Sequence, residues 1–512
     1  MLVKTYASAV HGINATTVTI EVNVSKGINF HMVGLPDNAV KESQQRIESA
    51  LQIHGFKMPG KKVVINMAPA DIRKEGSSYD LALAMGILAA SEQVSFPEIE
   101  KYLMMGELSL DGSLQPVKGI LPIAIQAREE GFSGMLVPVQ NAREAAVVDK
   151  LNVHGAENIK EVIDFLSGKE EIPPTFVDTR EEFFANINNY EMDFSDVKGQ
   201  ENVKRALEIA AAGGHNIIMI GPPGAGKTML AKRIPTIIPS LNLKEALETT
   251  KIHSVAGKID KNTSLMTRRP YRSPHHTISD VALVGGGTYP QPGEISLAHN
   301  GVLFLDELPE FKRSVLEVMR QPLEDRVITI SRAKFTVEYP ASLMLVASMN
   351  PCPCGFYNHP EKECVCTSGI VQKYLNKISG PLLDRIDIHI EVVPVPFDKL
   401  SELKTSDSST QVRERVDKAR EIQHDRYKEK DNIHTNSQMN TRLMNKYCKL
   451  DQASTNLLKN AMNKLGLSAR AYDRILKVSR TIADLEGMES IEAHHIAEAI
   501  QYRSLDRDTW AG

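Results

Sequence analysis

The sequence predicts an α/β protein: an α+β domain over residues 1–166, a linker over 167–192, a phosphate-loop core over 193–395 and a helical domain over 396–512. Three observations predict it. Ile217-Ile218-Met219-Ile220 reads as a buried strand, and Gly221-Pro222-Pro223-Gly224-Ala225-Gly226-Lys227-Thr228 after it fits G-x-x-x-x-G-K-[ST] in full. Val302-Leu303-Phe304-Leu305 is a second apolar run, ending in Asp306-Glu307. Segments before residue 166 mix strand and helix periodicities, whereas those beyond 396 read as helical.

Composition narrows the class. A chain of 512 residues, 42% hydrophobic and 24% charged, is an ordinary globular protein of more than one domain. The net charge of −4 excludes a uniformly basic coat but leaves room for a local basic channel. The longest conspicuous apolar run, Leu81 to Ala90, is about half a membrane span. The start, Met1-Leu2-Val3-Lys4-Thr5-Tyr6, lacks the apolar core of a signal peptide. A cytoplasmic protein without a membrane partner is expected. Four of the five cysteines crowd between 352 and 366, which points to a metal or thiol cluster rather than a secreted disulfide framework.

In the first domain, Val18 to Val24 alternates as a half-buried strand, and Lys61 to Met67 reads as another. Asp37 to Gln52 is helical, with Val40, Ile47 and Leu51 at helical spacing, and Ser78 to Ser91 is a closely packing small-residue helix. Met104 to Leu110, Asp111-Gly112 and Leu114 to Val117 predict a hairpin, because Asp-Gly supplies the positive φ of its turn. Lys74-Glu75-Gly76-Ser77-Ser78, Met105 to Gly112, and Leu136-Val137-Pro138 with Asn141 resemble the Lon-protease-like domain. That resemblance places the protease's serine at Ser78 and its lysine at Leu121, with Lys118 out of register. A serine without a base to take its proton is inert, so a non-catalytic module is expected, as a scaffold or a DNA-contacting collar. Ser167-Gly168-Lys169-Glu170-Glu171-Ile172-Pro173-Pro174 then breaks both periodicities and reads as a tether.

The core carries the chemistry. The glycines let backbone N–H groups converge on phosphate oxygens, and the helix that follows adds its positive end. Lys227 is a point charge for the β/γ-phosphates, Thr228 and Asp306 are candidate Mg²⁺ ligands, and Glu307 can orient the attacking water. ATP and Mg²⁺ are the cofactors this implies. A third strand, Leu343 to Ser348, leads to Asn350, whose amide can meet that water or the γ-phosphate. Arg385, in Pro381-Leu382-Leu383-Asp384-Arg385-Ile386-Asp387, is a candidate arginine finger for a neighbouring copy, the alternative being a salt bridge to Asp384 or Asp387. A finger acting in trans requires an oligomer. The long insert over 250–300 carries Arg268, Arg269, Arg272, His275 and His276, then Val284-Gly285-Gly286-Gly287, and can grip phosphates or form interface salt bridges. Val327 to Val337 reads as a hairpin with Arg332 and Lys334 at its tip, a second candidate DNA contact. Cys352-Pro353-Cys354 and Cys364-Val365-Cys366 suit a tetrahedral Zn²⁺, with His359 as a substitute ligand and redox-active thiols as the alternative.

In the last domain, Val412 to Lys428 is a charged helix. Ser468 is a candidate N-cap for a helix whose apolar stripe is Ile475, Val478, Ile482 and Leu485. Ile491 to Gln501 is the closing helix.

Taken together, Gly221 to Thr228, Tyr271-Arg272-Ser273-Pro274-His275-His276-Thr277, Pro292 to Gly301 and Leu303 to Glu307 resemble magnesium-chelatase-like AAA+ ATPases, in the ComM/YifB family. The resemblance implies an N-terminal Lon-protease-like domain, an AAA+ P-loop NTPase core and a C-terminal helical lid. It also implies a hexameric ring that hydrolyses ATP and moves along DNA, as a branch-migration helicase in natural transformation. Arg470 matches the sensor arginine of related motors, with Arg474 as its rival, and the 327–337 hairpin matches one that points into their channel. The other readings are a chelatase-like motor for metal insertion, a non-enzymatic assembly scaffold and a Lon-like protease.

Overall fold

The alternation at 18–24 buries Val18, Ile20, Val22 and Val24 and leaves Asn23 exposed. In the computed structural model these residues lie in β2 (Asn14–Ser25), which pairs antiparallel with β1 (Leu2–His11). The structure describes the chain except residues 187–189, 261–262, 288–289, 333–334, 358, 360, 396–406, 431–432 and 504–512. It divides into two units: Met1–Asn186 with Asn242–Thr267, and Ile187–Leu241 with Arg268–Gly512. Among the described residues no helix is long and apolar enough to cross a membrane.

The first unit is built on a seven-stranded sheet. After β1 and β2 come β3 (Phe30–Val33), β4 (Lys62–Ala68) and β5 (Tyr102–Met104). Then follow β6 (Glu107–Leu108), β7 (Leu114–Gln115), β8 (Gly134–Pro138) and β9 (Asn152–Ala156). The sheet order is β3-β4-β2-β1-β5-β8-β9, and β6 and β7 pair separately. The helix expected over 37–52 breaks at Glu42 into Asn38–Lys41, capped by Asp37, and Ser43–Ile53. The small-residue helix is Asp80–Ala90 and buries every residue but Ala89. The Asp-Gly hairpin is shorter than its apolar run. Met105 N–H bonds Leu136 O at 3.0 Å and Gly106 N–H bonds Ser78 O at 2.9 Å, so the chain leaves the sheet before pairing can begin.

Two features of this unit differ from what the chain order suggests. Residues within 167–192 pack on the sheet rather than hanging free: Thr175 N–H bonds Val153 O at 2.7 Å, and Thr179–Asn186 is a helix. Helix Leu243–Ala256, which lies beyond the phosphate loop in sequence, packs on Ile120–Glu129 of this unit. Its Ser254 carbonyl takes the Gly119 N–H at 3.0 Å, and its hydroxyl donates to Glu144. Leu121, at the position of the protease lysine, is fully buried, its N–H 3.2 Å from Glu144 Oε1.

The second unit holds β10 (Ile217–Ile220), β11 (Tyr271–Arg272), β12 (Gly285–Gly286), β13 (Gln291–Pro292) and β14 (Val302–Leu305). They are followed by β15 (Val327–Arg332), β16 (Phe335–Pro340), β17 (Met344–Met349) and β18 (Ile388–Glu391). Five strands form a sheet in the order β11-β14-β17-β10-β18, every neighbouring pair parallel. The four residues of β10 and of β14 are all buried, as strands covered on both faces must be. The helical region contributes Ser409–Tyr427, Gln452–Leu465, Ala469–Leu485 and Ala493–Gln501. Ile217, Phe304 and Val346 of the sheet share one apolar core with Val416, Ile475 and Ile482 of these helices. The boundary expected at 395/396 touches residues outside the described set.

Candidate functional site

Parallel strands release their carboxyl ends at one edge, which is where open α/β sheets bind ligands. Register then decides which residues meet. Ile220 pairs with Met349 and Leu305 with Ala347, so Gly221, Asp306 and Asn350 leave the sheet side by side. Gly226 has φ +88°, a conformation in which a side chain is strained, and the helix Lys227–Arg233 starts directly after it.

Lys227 is buried, and its ammonium is satisfied on three sides: Gly221 O at 2.6 Å, Pro222 O at 2.9 Å and Asn350 Oδ1 at 3.1 Å. Burial pulls its pKa below the usual lysine value, against the opposing pull of Asp306 and Glu307. Thr228 Oγ1 donates to Asp306 Oδ2 at 2.8 Å, and the Ser348 hydroxyl holds the other Asp306 oxygen. Hydroxyl and carboxylate are hard oxygen donors, the set Mg²⁺ prefers, so the pair fits that ion. Glu307 is a non-glycine residue at φ +54°, its side chain 54% exposed and 3.6 Å from His276 Nδ1. Gln200 ties the loop down, donating to Ala225 O at 3.2 Å and Val393 O at 2.8 Å.

The arginines gather elsewhere in the same unit. The ion-pair partner of Arg385 is neither Asp384 nor Asp387 but Glu324. Asp384 and Asp387 are already engaged: Arg470 pairs with Asp384 at 2.8 Å and Arg474 with Asp387 at 3.1 Å. Arg470 and Arg474 therefore both join the turn that carries Arg385. His215, wholly buried just before β10, bridges Asp387 Oδ2 at 3.1 Å and Thr481 Oγ1 at 2.8 Å. Burial alone would raise Asp387; Arg474, His215 and Lys477 together hold it well below the usual carboxylate range. Asn216 Nδ2 donates to Arg385 O at 3.0 Å, which links the foot of the phosphate-loop strand to the arginine turn.

The four clustered cysteines are free thiols whose ligand atoms all lie within 4.8 Å of one another. Cys352 Sγ is 3.3 Å from Cys354 and 3.7 Å from Cys364, and Cys354 is 3.5 Å from Cys364. A tetrahedral site with Zn–S bonds of about 2.3 Å separates its sulfurs by about 3.8 Å, so the donor set fits. Desolvation opposes it, yet the N–H groups of Phe356 and Val365 and the Cys352 thiol draw Cys354 down to about 6. His359 stands outside the group, its Nδ1 accepting the N–H of Glu361 and Lys362, both at 3.0 Å. The cluster adjoins the phosphate loop. A Cβ on Gly355 (φ +84°) would lie 2.6 Å from Pro223 Cδ.

Comparison with known proteins assigns the chain. It is 45% identical over 504 residues to competence protein ComM of Haemophilus influenzae, covering 98% of this chain and 97% of that one. It is 43% identical over 509 residues to YifB of Escherichia coli, an uncharacterized protein, with the same coverage. The chain belongs to the ComM/YifB family. The family model described as magnesium chelatase, subunit ChlI matches residues 193–400, its C-terminal counterpart 406–503, and one for subunit ChlI of Mg-chelatase 20–141. ComM/YifB proteins are thus magnesium-chelatase-like members of the AAA+ class. Lon protease 2 of Bacillus subtilis is 32% identical over 155 residues, 28% of this chain and 27% of that one.

Within this ComM/YifB chain the basic candidates have separate settings. Arg272 is held by Glu294 through contacts of 2.6 and 2.7 Å. Arg269 donates to Asn300 O at 2.7 Å, and exposed Arg268 lies 5.8 Å from the Tyr190 ring. Arg332 ends β15, and Lys334 lies outside the described residues. Sequence reasoning missed Gln200, Ser348 and Glu324. Ser348 had a signal, a hydroxyl inside an apolar strand one strand from Asp306; Gln200 and Glu324 had none.

Proposed function

We propose that this chain is an ATP hydrolase that works as an oligomeric ring, a hexamer by the family expectation, and remodels DNA as a branch-migration helicase. The observation that carries the first part is the meeting of Lys227, Thr228, Asp306, Glu307 and Asn350 at the ends of parallel strands. ATP phosphates lie against the loop 221–228, with Lys227 as their counter-charge. Mg²⁺, when bound by Thr228 and Asp306, neutralises phosphate charge. Glu307 orients water, Asn350 meets the γ-phosphate, Arg385 serves the site of a neighbouring copy, and Arg470, with Arg474 as its rival, is the sensor arginine for the γ-phosphate. The DNA part is supported by the family relation to a competence protein and by basic residues on the 250–300 insert and the β15–β16 hairpin, Arg268 foremost.

The test is steady-state ATPase with and without single-stranded or branched DNA. DNA is expected to stimulate turnover, and binding that rests on six or more phosphate contacts should weaken by roughly 10³ between about 50 and 200 mM salt. Absence of both binding and stimulation at the lower salt removes the DNA reading and leaves the ATPase reading standing.

The cysteine group is assigned to a structural Zn²⁺. Metal analysis of purified protein should return about one zinc per chain, and a chelator should weaken nucleotide binding because Gly355 abuts Pro223. Less than about a tenth of an equivalent would end this assignment.

A further inference from the structure

Glu324 sits where two parts of the second unit meet. Its carboxylate pairs with Arg385, whose guanidinium also donates to Pro381 O at 2.7 Å. Glu324 belongs to the helix Arg320–Asp325, which ends at Arg326 in the left-handed region (φ +59°), and β15 starts at the next residue. Arg326 O accepts the Ala341 N–H at 2.7 Å, closing the foot of the β15–β16 hairpin. The Arg326 guanidinium donates to Ser342 Oγ at 3.3 Å, and burial lowers its pKa to about 10. The foot of the hairpin and the arginine turn are therefore joined through Glu324 and Arg385.

Three carboxylates serve those arginines, and exposure separates them. The Asp387 side chain is 1% exposed and Asp384 26%, whereas Glu324 is 64% exposed. Asp387 is locked by His215 and Arg474, so Glu324 is the one free to leave. Arg385 itself is only 12% exposed. While the pair holds, the guanidinium is occupied within its own chain.

We propose that Glu324 is a positioning residue that parks Arg385, and that nucleic acid engaging the β15–β16 hairpin withdraws Glu324 and frees Arg385 for the phosphate of a neighbouring copy. This rests on the ATPase and DNA readings above and names their coupling. An ion pair of this exposure is weak enough to be exchanged for a phosphate, which binds a guanidinium through stronger charge-assisted hydrogen bonds.

The test is Glu324→Gln, assayed for ATPase without DNA and with saturating oligothymidylate. Loss of a pair this exposed should raise the DNA-free kcat about twofold to fivefold. KM for ATP should not move, and the stimulation ratio should shrink by the same factor. In the Arg385→Ala background, Glu324→Gln should give no gain over Arg385→Ala alone, which a general loosening of the fold would not do. Glu324→Ala should behave like Glu324→Gln. An unchanged or lower DNA-free kcat in both variants overturns the proposal. If DNA fails to stimulate the wild type yet Glu324→Gln still raises the DNA-free rate, parking stands and the nucleic-acid trigger falls. If DNA stimulates wild type and variant in equal ratio, the trigger is elsewhere and Glu324 does not couple to it.

Discussion

A Glu307→Gln chain is expected to bind ATP about as tightly as the wild type and to hydrolyse it roughly a hundred to ten thousand times more slowly. The geometry separates the two effects. In the proposed function, binding rests on the loop amides and Lys227, and Glu307 touches neither. Asp306, the other acid at this strand end, has both oxygens engaged, by Thr228 and Ser348. Lys227 is satisfied by two carbonyls and an amide. Glu307 keeps a half-exposed carboxylate that an amide of the same shape cannot replace as a proton acceptor. Nucleotide binding and single-turnover phosphate release measured on the same preparation decide it. Equal turnover in the two proteins would assign the water to another group, with His276, 3.6 Å from Glu307, the first to examine.

Arg385→Ala should cost about 10³ or more in turnover with nucleotide binding intact, the range arginine fingers supply. The decisive version is a mixture. If Arg385 serves a neighbouring copy, doping wild type with Arg385→Ala lowers the rate per intact phosphate loop. A site that uses its own arginine would keep its rate at any doping level, and that result would sink the trans assignment. Arg470, paired with Asp384 in the same turn, should behave similarly in mixtures if it serves the same phosphate.

The sequence was legible where chemistry dictates spacing. Gly221 to Thr228 must keep its intervals to cradle a phosphate, and an apolar run followed by Asp306-Glu307 is its usual counterpart, so both stand out from the chain. The strands Val18 to Val24 and Lys61 to Met67 were legible because burying one sheet face forces alternation. Contacts between distant residues left no such trace. Glu324 lies 61 residues from Arg385, and a salt bridge to the adjacent aspartates was the natural local guess. Those aspartates were taken by lid arginines that only the folded helix Ala469–Leu485 brings near. The destination of helix Leu243–Ala256 was hidden for a related reason. Its buried residues state that it is covered, not by which sheet.

That helix has a consequence for anyone wishing to study the phosphate-loop unit by itself. The polypeptide leaves the phosphate-loop unit at Leu241, joins the N-terminal unit for one excursion, and returns at Arg268. Trimming the gene to begin at residue 187 would remove the helix Ile120–Glu129 on which the excursion's helix Leu243–Ala256, with its buried Ala246, Ile252 and Val255, packs. The severed piece would offer bare hydrocarbon to water and seek another surface to cover it. A separable phosphate-loop unit would need this excursion replaced by a short polar bridge from 241 to 268.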